Sequence, residues 1–272
     1  MKLSIVSGLN ESKSPVDEVS NKFESLCEFL KPLGYDGIEL SLLEPEKINV
    51  FQIKEIIDSY NFDISALGTG STFIRFGYSL GHYDATLRQK AIERLERYME
   101  FAVETNALVI IGLIRGRYSS QSSPKKERLN IISSLKRCAA IAEDKGVMLA
   151  FEPINSFEID SYNTISSALD LLQEINSSHL KLLIDSYHTN LEEDPGFIWE
   201  DLERISSEVI HIHLADTNRR APGTGHFDFR AFLNTFKEAG YKNYASIETI
   251  MKPSFEDVAR ESIEFLKMIL NR

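Results

Sequence analysis

Long apolar runs, basic residues and cysteines are all scarce in this 272-residue chain, and each scarcity excludes something. No run of about 18 apolar residues occurs, so no membrane span is expected. The N-terminal MKLSIVSGLN lacks the apolar stretch of about 7–15 residues and the small-residue cleavage site of a secretory signal. It reads as a first strand, and the expected location is cytoplasmic. Lys and Arg number 30 against 41 Asp and Glu, a net charge of −11. Nucleic-acid binding needs a basic face to neutralise phosphates, so no nucleic-acid partner is expected. A local basic pocket remains compatible with that balance. The two cysteines, Cys27 and Cys138, fall in helix-like patterns and read as buried free thiols, not as a disulfide or a nucleophile. A Gly-rich phosphate loop is missing too. Gly8-Leu9-Asn10, after the first strand, does not match GxGxxG, which counts against a doubly wound open sheet.

What is present is a regular alternation. Hydrophobic residues make up 43% of the chain, enough for a globular core. Short β-like runs are expected at Lys2–Ser7, Tyr35–Leu40, Phe62–Leu67, Ala107–Gly112, Val147–Phe151, Leu180–Ile184, Glu208–His213 and Tyr244–Ile247. Helical patterns follow them at Ser20–Leu33, Ile48–Tyr60, Ala85–Thr105 (with Asp84 as N-cap), Pro124–Lys145, Ser161–Ile175, Pro195–Ile205, Phe229–Ala239 and Phe255–Ile269. The repeat of roughly 30 residues is the βα unit itself. Eight strand–helix pairs with no linker between them fit an α/β (β/α)₈ barrel, a TIM barrel, forming a single domain over residues 1–272. Trp199, on the weak sixth helix, reads as packing.

In such a barrel the active site lies at the C-terminal ends of the strands. Glu152 follows strand five, Asp185 strand six and Glu248 strand eight, while His213 ends strand seven. These strands are consecutive, so the four side chains are expected to converge. His211 and His213 are two apart and share one face; Ile210, Ile212 and Leu214 are expected on the other. Two Glu, one Asp and one His form a hard donor set that suits Mn²⁺, Co²⁺ or Mg²⁺ better than a structural zinc. Such a centre favours proton transfer next to a carbonyl, one carboxylate taking the carbon-bound proton and another delivering one. Glu158 is a candidate neighbour to tune them. Arg115 and Arg117, in the loop after strand four, are expected at the mouth, where two guanidinium groups clamp a phosphate or carboxylate. His82, His179 and His226 read as surface or loop residues.

Four segments carry a resemblance: FEPINSFE (Phe151–Glu158), LLIDSYHTN (Leu182–Asn190), HIHLADTNRRAPGTGHFDF (His211–Phe229) and SIE (Ser246–Glu248). Together they resemble the xylose isomerase-like TIM-barrel superfamily. They are most similar to its ketose 3-epimerase branch, which includes the tagatose and psicose 3-epimerases. The resemblance implies Glu152, Asp185, His213 and Glu248 as ligands of one divalent ion. Mn²⁺ is the expected ion; Co²⁺, Mg²⁺ and Zn²⁺ are alternatives. It also implies Glu152 and Glu248 as the acid/base pair, and Glu158, His188 and Arg219 as contacts to substrate oxygens. The family ligand is the histidine directly before Leu-x-Asp, which selects His213 and leaves His211 as a hydrogen-bonded interior residue. The implied activity is a metal-dependent isomerase, epimerising a ketose or ketose phosphate at C3 through a metal-stabilised cis-enediolate. The implied partner is therefore a small sugar or sugar phosphate, and relatives are often dimers or tetramers.

The segment LGTGSTFIRFGYSLGHYD departs from the form of the free-ketohexose epimerases, and with Arg115 and Arg117 it leaves a phosphorylated or acidic substrate open. Alternatives on the same metal site are an inosose-type dehydratase and an aldose–ketose isomerase; a barrel that binds without catalysing is a further one. An endonuclease IV-like enzyme needs extra histidines after strands two to four. The first four strands here end at Ser7, Leu40, Leu67 and Gly112, and the strand-seven loop reads His226-Phe227-Asp228 instead of Asp-x-His.

Overall fold

In a computed structural model that describes residues 1–9, 16–196 and 198–270, the β-like runs pair in parallel and in sequence order. The strands are β1 (Lys2–Gly8), β2 (Gly37–Ser41), β3 (Asp63–Gly68), β4 (Leu108–Ile111), β5 (Leu149–Phe151), β6 (Leu180–Asp185), β7 (Val209–Leu214) and β8 (Tyr244–Ile247). β1 also pairs with β8, Lys2 opposite Tyr244 and Ile5 opposite Ile247, so the sheet closes into an eight-stranded barrel. The α/β (β/α)₈ expectation therefore holds. Helices α1 (Val16–Leu33), α2 (Val50–Tyr60), α4 (Ala85–Thr105), α5 (Pro124–Lys145), α6 (Ile165–Ile175), α8 (Ile198–Ile205), α9 (Phe229–Glu238) and α10 (Phe255–Leu270) surround it. Among the described residues no helix is long and apolar enough to cross a membrane.

Local chemistry accounts for most boundaries. The Asp84 side chain accepts from Thr86 N–H and caps α4, as expected. Gly146, at φ 67°, ends α5 in the left-handed region that costs glycine nothing. Helix α6 starts four residues later than the pattern suggests, because Thr164 and Ser167 form a reciprocal capping box. Of the expected Pro195–Ile205 helix, Ile198–Ile205 is observed, and Phe197 lies outside the described residues. Two further helices, α3 (Gly70–Phe76) and α7 (Ser186–Glu192), follow β3 and β6 directly. Each has seven residues, too few for a helical period to show.

The outer faces of the strands pack on the helices in one continuous apolar core. The barrel interior is split. Ala66, Ile110, Ala150 and Leu183 form a small apolar cluster, while Ser4, Ser246, Glu39 and His211 bury polar groups. β7 departs from strict alternation. Leu182 pairs with Val209 but Leu183 pairs with His211, so Ile210 is an extra residue in a bulge. Ile210 consequently packs on the interior cluster, while Ile212 and Leu214 join the outer core as expected. Cys27 and Cys138 are buried free thiols, and burial pushes both up to about 12, so neither is a thiolate nucleophile.

Candidate active site

Four consecutive strands bring Glu152, Asp185, His213 and Glu248 to one point. One ligand atom of each lies within 4.8 Å of all the others. The geometry centres on His213 Nδ1, which is 3.2 Å from Glu152 Oε1, 3.3 Å from Glu248 Oε2 and 3.8 Å from Asp185 Oδ2. Asp185 stands directly opposite His213 in the β6–β7 register. Its second oxygen, Oδ1, accepts from Tyr187 N–H at 2.6 Å and His188 N–H at 3.0 Å. That cap starts α7 and turns Oδ2 towards the centre. Glu152, Asp185 and His213 are buried, whereas the Glu248 side chain is 33% exposed and faces the mouth.

Three carboxylates around one imidazole nitrogen repel one another unless a cation lies between them. Burial opposes charge on His213, but the Glu39 and Glu248 carboxylates outweigh it and raise its pKa well above the ordinary value. Burial raises Glu152. On Glu248 the His213 charge overcomes burial and lowers the pKa. The two carboxylates are thus pushed apart. The donor set of three carboxylates and one imidazole, without sulfur, fits a hard divalent ion. The local backbone makes room for it: a Cβ on Gly112 would lie 2.7 Å from Glu152 Oε2, so the carboxylate occupies space that only glycine leaves open. A second group, Glu39, His211 and His213, is also spaced closely enough to hold a metal ion.

The expected substrate contacts surround this centre. A cavity of about 200 Å³ is lined by Glu152, His213 and Glu248 together with Glu158, His188 and Arg219. Val6, Ile74, Leu113 and Ile154 supply its apolar wall. Arg219 donates to Glu158 Oε1, and its guanidinium lies 5.0 Å from the centroid of the Tyr187 ring. Its backbone is held at φ 57°. The loop that imposes this is organised by Asp216, whose buried carboxylate accepts from the N–H groups of Thr217, Gly223 and Phe227. His188 Nε2 is 3.8 Å from Glu152 Oε1, and its Nδ1 is 2.7 Å from Asn155 Nδ2. The same Asn155 amide donates to Glu158 Oε1 at 2.9 Å.

The arginine pair requires a correction. Arg115 is fully buried and lies beneath the mouth, with its guanidinium 4.5 Å from the Phe151 ring centroid. It donates to the carbonyls of Ile111, Gly112, Glu152 and Ser161, and burial pulls its pKa down to about 10. Arg117 is exposed but turns to the carbonyls of Phe157 and Glu158. The two hold backbone in place and form no anion clamp. His82 stacks on Tyr83, His179 Nδ1 is 3.2 Å from the Ser178 hydroxyl, and His226 Nδ1 lies 3.2 Å from Thr217 Oγ1; none reaches the centre. Trp199 packs beside Phe227. His211 is interior and bonded through Nε2 to Glu39 Oε2 at 2.8 Å, as expected. Glu39 and Asn155 escape the sequence reading. The available signal for Glu39 was a carboxylate between Ile38 and Leu40 in a strand buried on both faces.

Comparison with known proteins agrees with this arrangement. The model of the family described as xylose isomerase-like TIM barrel matches residues 27–269. L-ribulose 3-epimerase of Methylomonas sp. (strain DH-1) is 26% identical over 255 residues, covering 86% of this chain and 87% of the relative. 3-Dehydro-D-guloside 4-epimerase of Escherichia coli (strain K12) is 26% identical over 252 residues, covering 88% and 92%. The crystal structure of D-allulose 3-epimerase from Methylomonas sp., in complex with D-allulose, shares the fold with a TM-score of 0.82 at 22% identity, over 98% of this chain and 96% of that one. A closed barrel, a buried site for a metal ion and relatives of this kind make the chain an enzyme of the isomerase and epimerase class. It belongs to the xylose isomerase-like TIM-barrel family and is closely related to the ketose 3-epimerase branch.

Proposed function

We propose that this enzyme is a divalent-metal-dependent epimerase that inverts a ketose at C3, with Glu152 and Glu248 as its acid/base pair. One observation carries the reading: two carboxylates stand 3.2 and 3.3 Å from the same imidazole nitrogen, at the base of a sugar-sized cavity. Glu152, Asp185, His213 and Glu248 would hold the ion. When bound, it supplies Lewis acidity to a carbonyl and its neighbouring hydroxyl, which acidifies the carbon-bound proton between them. Mn²⁺ suits the donor set, with Co²⁺, Mg²⁺ and Zn²⁺ as alternatives.

The chain's own residues do the rest. One of Glu152 and Glu248 takes the proton from one face of the carbon, and the other returns a proton to the opposite face. Asn155 donates to His188 Nδ1, so neutral His188 carries its proton on Nε2 and directs it towards the reacting centre. Arg219 and Glu158 offer a paired donor and acceptor to sugar hydroxyls. Val6, Ile74, Leu113 and Ile154 limit water. Arg219 is the one Lys or Arg side chain lining the cavity among the described residues, and it is already paired with Glu158. That favours an uncharged ketose over a ketose phosphate.

Incubating the metal-loaded enzyme with ketoses, ketose phosphates and inososes in D₂O tests this by NMR. Deuterium is expected at C3 of an epimerised ketose. A dehydrated inosose or an aldose product would move the reaction to the alternative chemistries, and an epimer without label would indicate hydride transfer. Glu152→Gln and Glu248→Gln are each expected to lower turnover by about 10²–10⁴-fold with the fold intact. Near-normal rates in both would exclude the two-carboxylate mechanism.

A further inference from the structure

Two buried ionisable residues that this mechanism does not use lie directly beneath the centre. Glu39, on β2, is 1% exposed, and His211, on β7, is fully buried. A carboxylate inside a barrel is costly unless it is paired. Glu39 is paired twice. Its Oε2 is 2.8 Å from His211 Nε2, and both its oxygens are 3.1 Å from His213 Nε2. An ionised carboxylate only accepts, so both imidazoles donate to it through Nε2–H. For His213 that leaves Nδ1, the atom that faces Glu152, Asp185 and Glu248, as the nitrogen available to a metal ion. Among the described residues His211 Nδ1 has no hydrogen-bond partner, and the ring lines a cavity of about 490 Å³ at the N-terminal end of the barrel.

We propose that Glu39 is the positioning residue for the metal centre: it fixes the tautomer and ring orientation of His213, and His211 anchors Glu39 from below. This rests on the metal-centre reading above. A histidine that binds metal through one nitrogen is oriented by the hydrogen bond at the other, and a carboxylate there also raises its basicity. The β7 register supplies both rings. His211 and His213 point inward, their centroids 5.3 Å apart and their planes at 83°, so one carboxylate reaches both Nε2 atoms. A metal ion between Glu39, His211 and His213 is disfavoured by proton count. His213 would then lose its Nε2 proton and bridge two ions as an imidazolate, whereas the hydrogen-bonded arrangement needs one ion at Nδ1.

Calorimetric titration of chelator-treated protein with Mn²⁺ tests the role without any turnover. Wild type is expected to bind one ion per chain. Glu39→Gln, isosteric but uncharged and with an NH₂ donor in place of one accepting oxygen, is expected to raise Kd by about 10–100-fold. His211→Gln is expected to shift Kd in the same direction. Long-range ¹H–¹⁵N spectra of the wild-type protein loaded with diamagnetic Zn²⁺ supply a second readout that does not depend on a variant folding. His211 and His213 are both expected as Nε2–H tautomers, with the His213 Nδ1 resonance shifted by metal. Unchanged affinity in folded Glu39→Gln, an Nδ1–H proton on His213, or two ions per chain overturns this proposal alone. Wild-type protein that takes up no ion overturns the functional reading and this one with it.

Discussion

Gly112→Ala is the sharpest perturbation of the centre that replaces none of the four converging side chains. Gly112 follows β4, and a Cβ there would lie 2.7 Å from Glu152 Oε2 and 3.2 Å from Ile154 Cδ1. The isoleucine contact is with the end of a flexible side chain and can yield. The carboxylate has less freedom, because its other oxygen is the one 3.2 Å from His213 Nδ1. Nor can the backbone retreat easily. Glu152 N–H donates to the Ile111 carbonyl at 3.2 Å, and the Glu152 carbonyl accepts from Arg115 at 2.7 Å. Restoring normal contact therefore moves the carboxylate by about half an ångström, towards the other charged groups. Misplacing a reacting group by about 1 Å costs on the order of 10²-fold in rate, so turnover is expected to fall by about 10- to 100-fold. Overpacking costs about 1–3 kcal/mol. At about 2–4 °C per kcal/mol for a chain near this size, Tm falls by roughly 2–12 °C. Mn²⁺ titration, steady-state turnover and thermal melting measure the three effects. A variant that melts lower but keeps wild-type turnover and metal affinity would refute the reasoning, since the backbone rather than Glu152 would then have yielded.

Two further substitutions separate structure from chemistry. Arg115→Lys keeps the charge but loses the planar fork that serves four carbonyls and stacks on Phe151. It is expected to cost about 3 kcal/mol or more in unfolding free energy, measured by denaturant titration. A stable Arg115→Lys variant that specifically loses binding of anionic ligands would restore the clamp. Asp216→Asn is expected to loosen the Arg219 loop, raising KM more than it lowers kcat, because an amide presents one oxygen where the carboxylate presents two. Burial opposes ionisation of Asp216, but the N–H groups of Gly225, Phe227, Thr217 and Gly223 outweigh it and hold the pKa below the ordinary value. Its stabilisation is therefore complete above the unfolded value of about 3.9 and is lost as pH falls through the lower folded value. Limited proteolysis of the loop between neutral and acid pH reads this out, and equal protection of wild type and variant at neutral pH would contradict it.

The barrel was legible because its strands are short apolar runs at a regular spacing, and the four converging residues because each stands at a strand end. What escaped has a different physical origin in each case. The helices α3 and α7 have only seven residues each, and α7 depends on a cap by the same Asp185 that faces the centre. Ile210 changed sides through a bulge, which moves a residue across the sheet without altering the composition of the strand. Arg115 and Arg117 looked alike in IRGRYSS, yet a 3-10 turn at Leu113–Arg115 buries the first and leaves the second exposed. Glu39 was missed because a search of strand ends passes over the middle of a strand, where a charged residue survives only with partners from elsewhere in the fold. Those partners come from β7, far away in sequence.

The centre owes its geometry to atoms that do not face it. Asp185 is aimed by the oxygen that caps α7, His213 by the nitrogen that meets Glu39, and His188 by the nitrogen that meets Asn155. Each functional side chain has two polar atoms, one for the chemistry and one for support, and in all three cases the supporting partner is buried or part of a helix end. Glu152 is held differently, by its bonded main chain and by the bare Cα of Gly112. Glu248 is the exception, with a side chain one-third open to the mouth. The acid/base pair proposed above is asymmetric: one carboxylate fixed in the interior, the other at the solvent boundary where it can exchange its proton. Rigid placement of most of the centre, with freedom left at one proton-transfer group, is what a reaction needs when the substrate must enter, turn over and leave through the same opening.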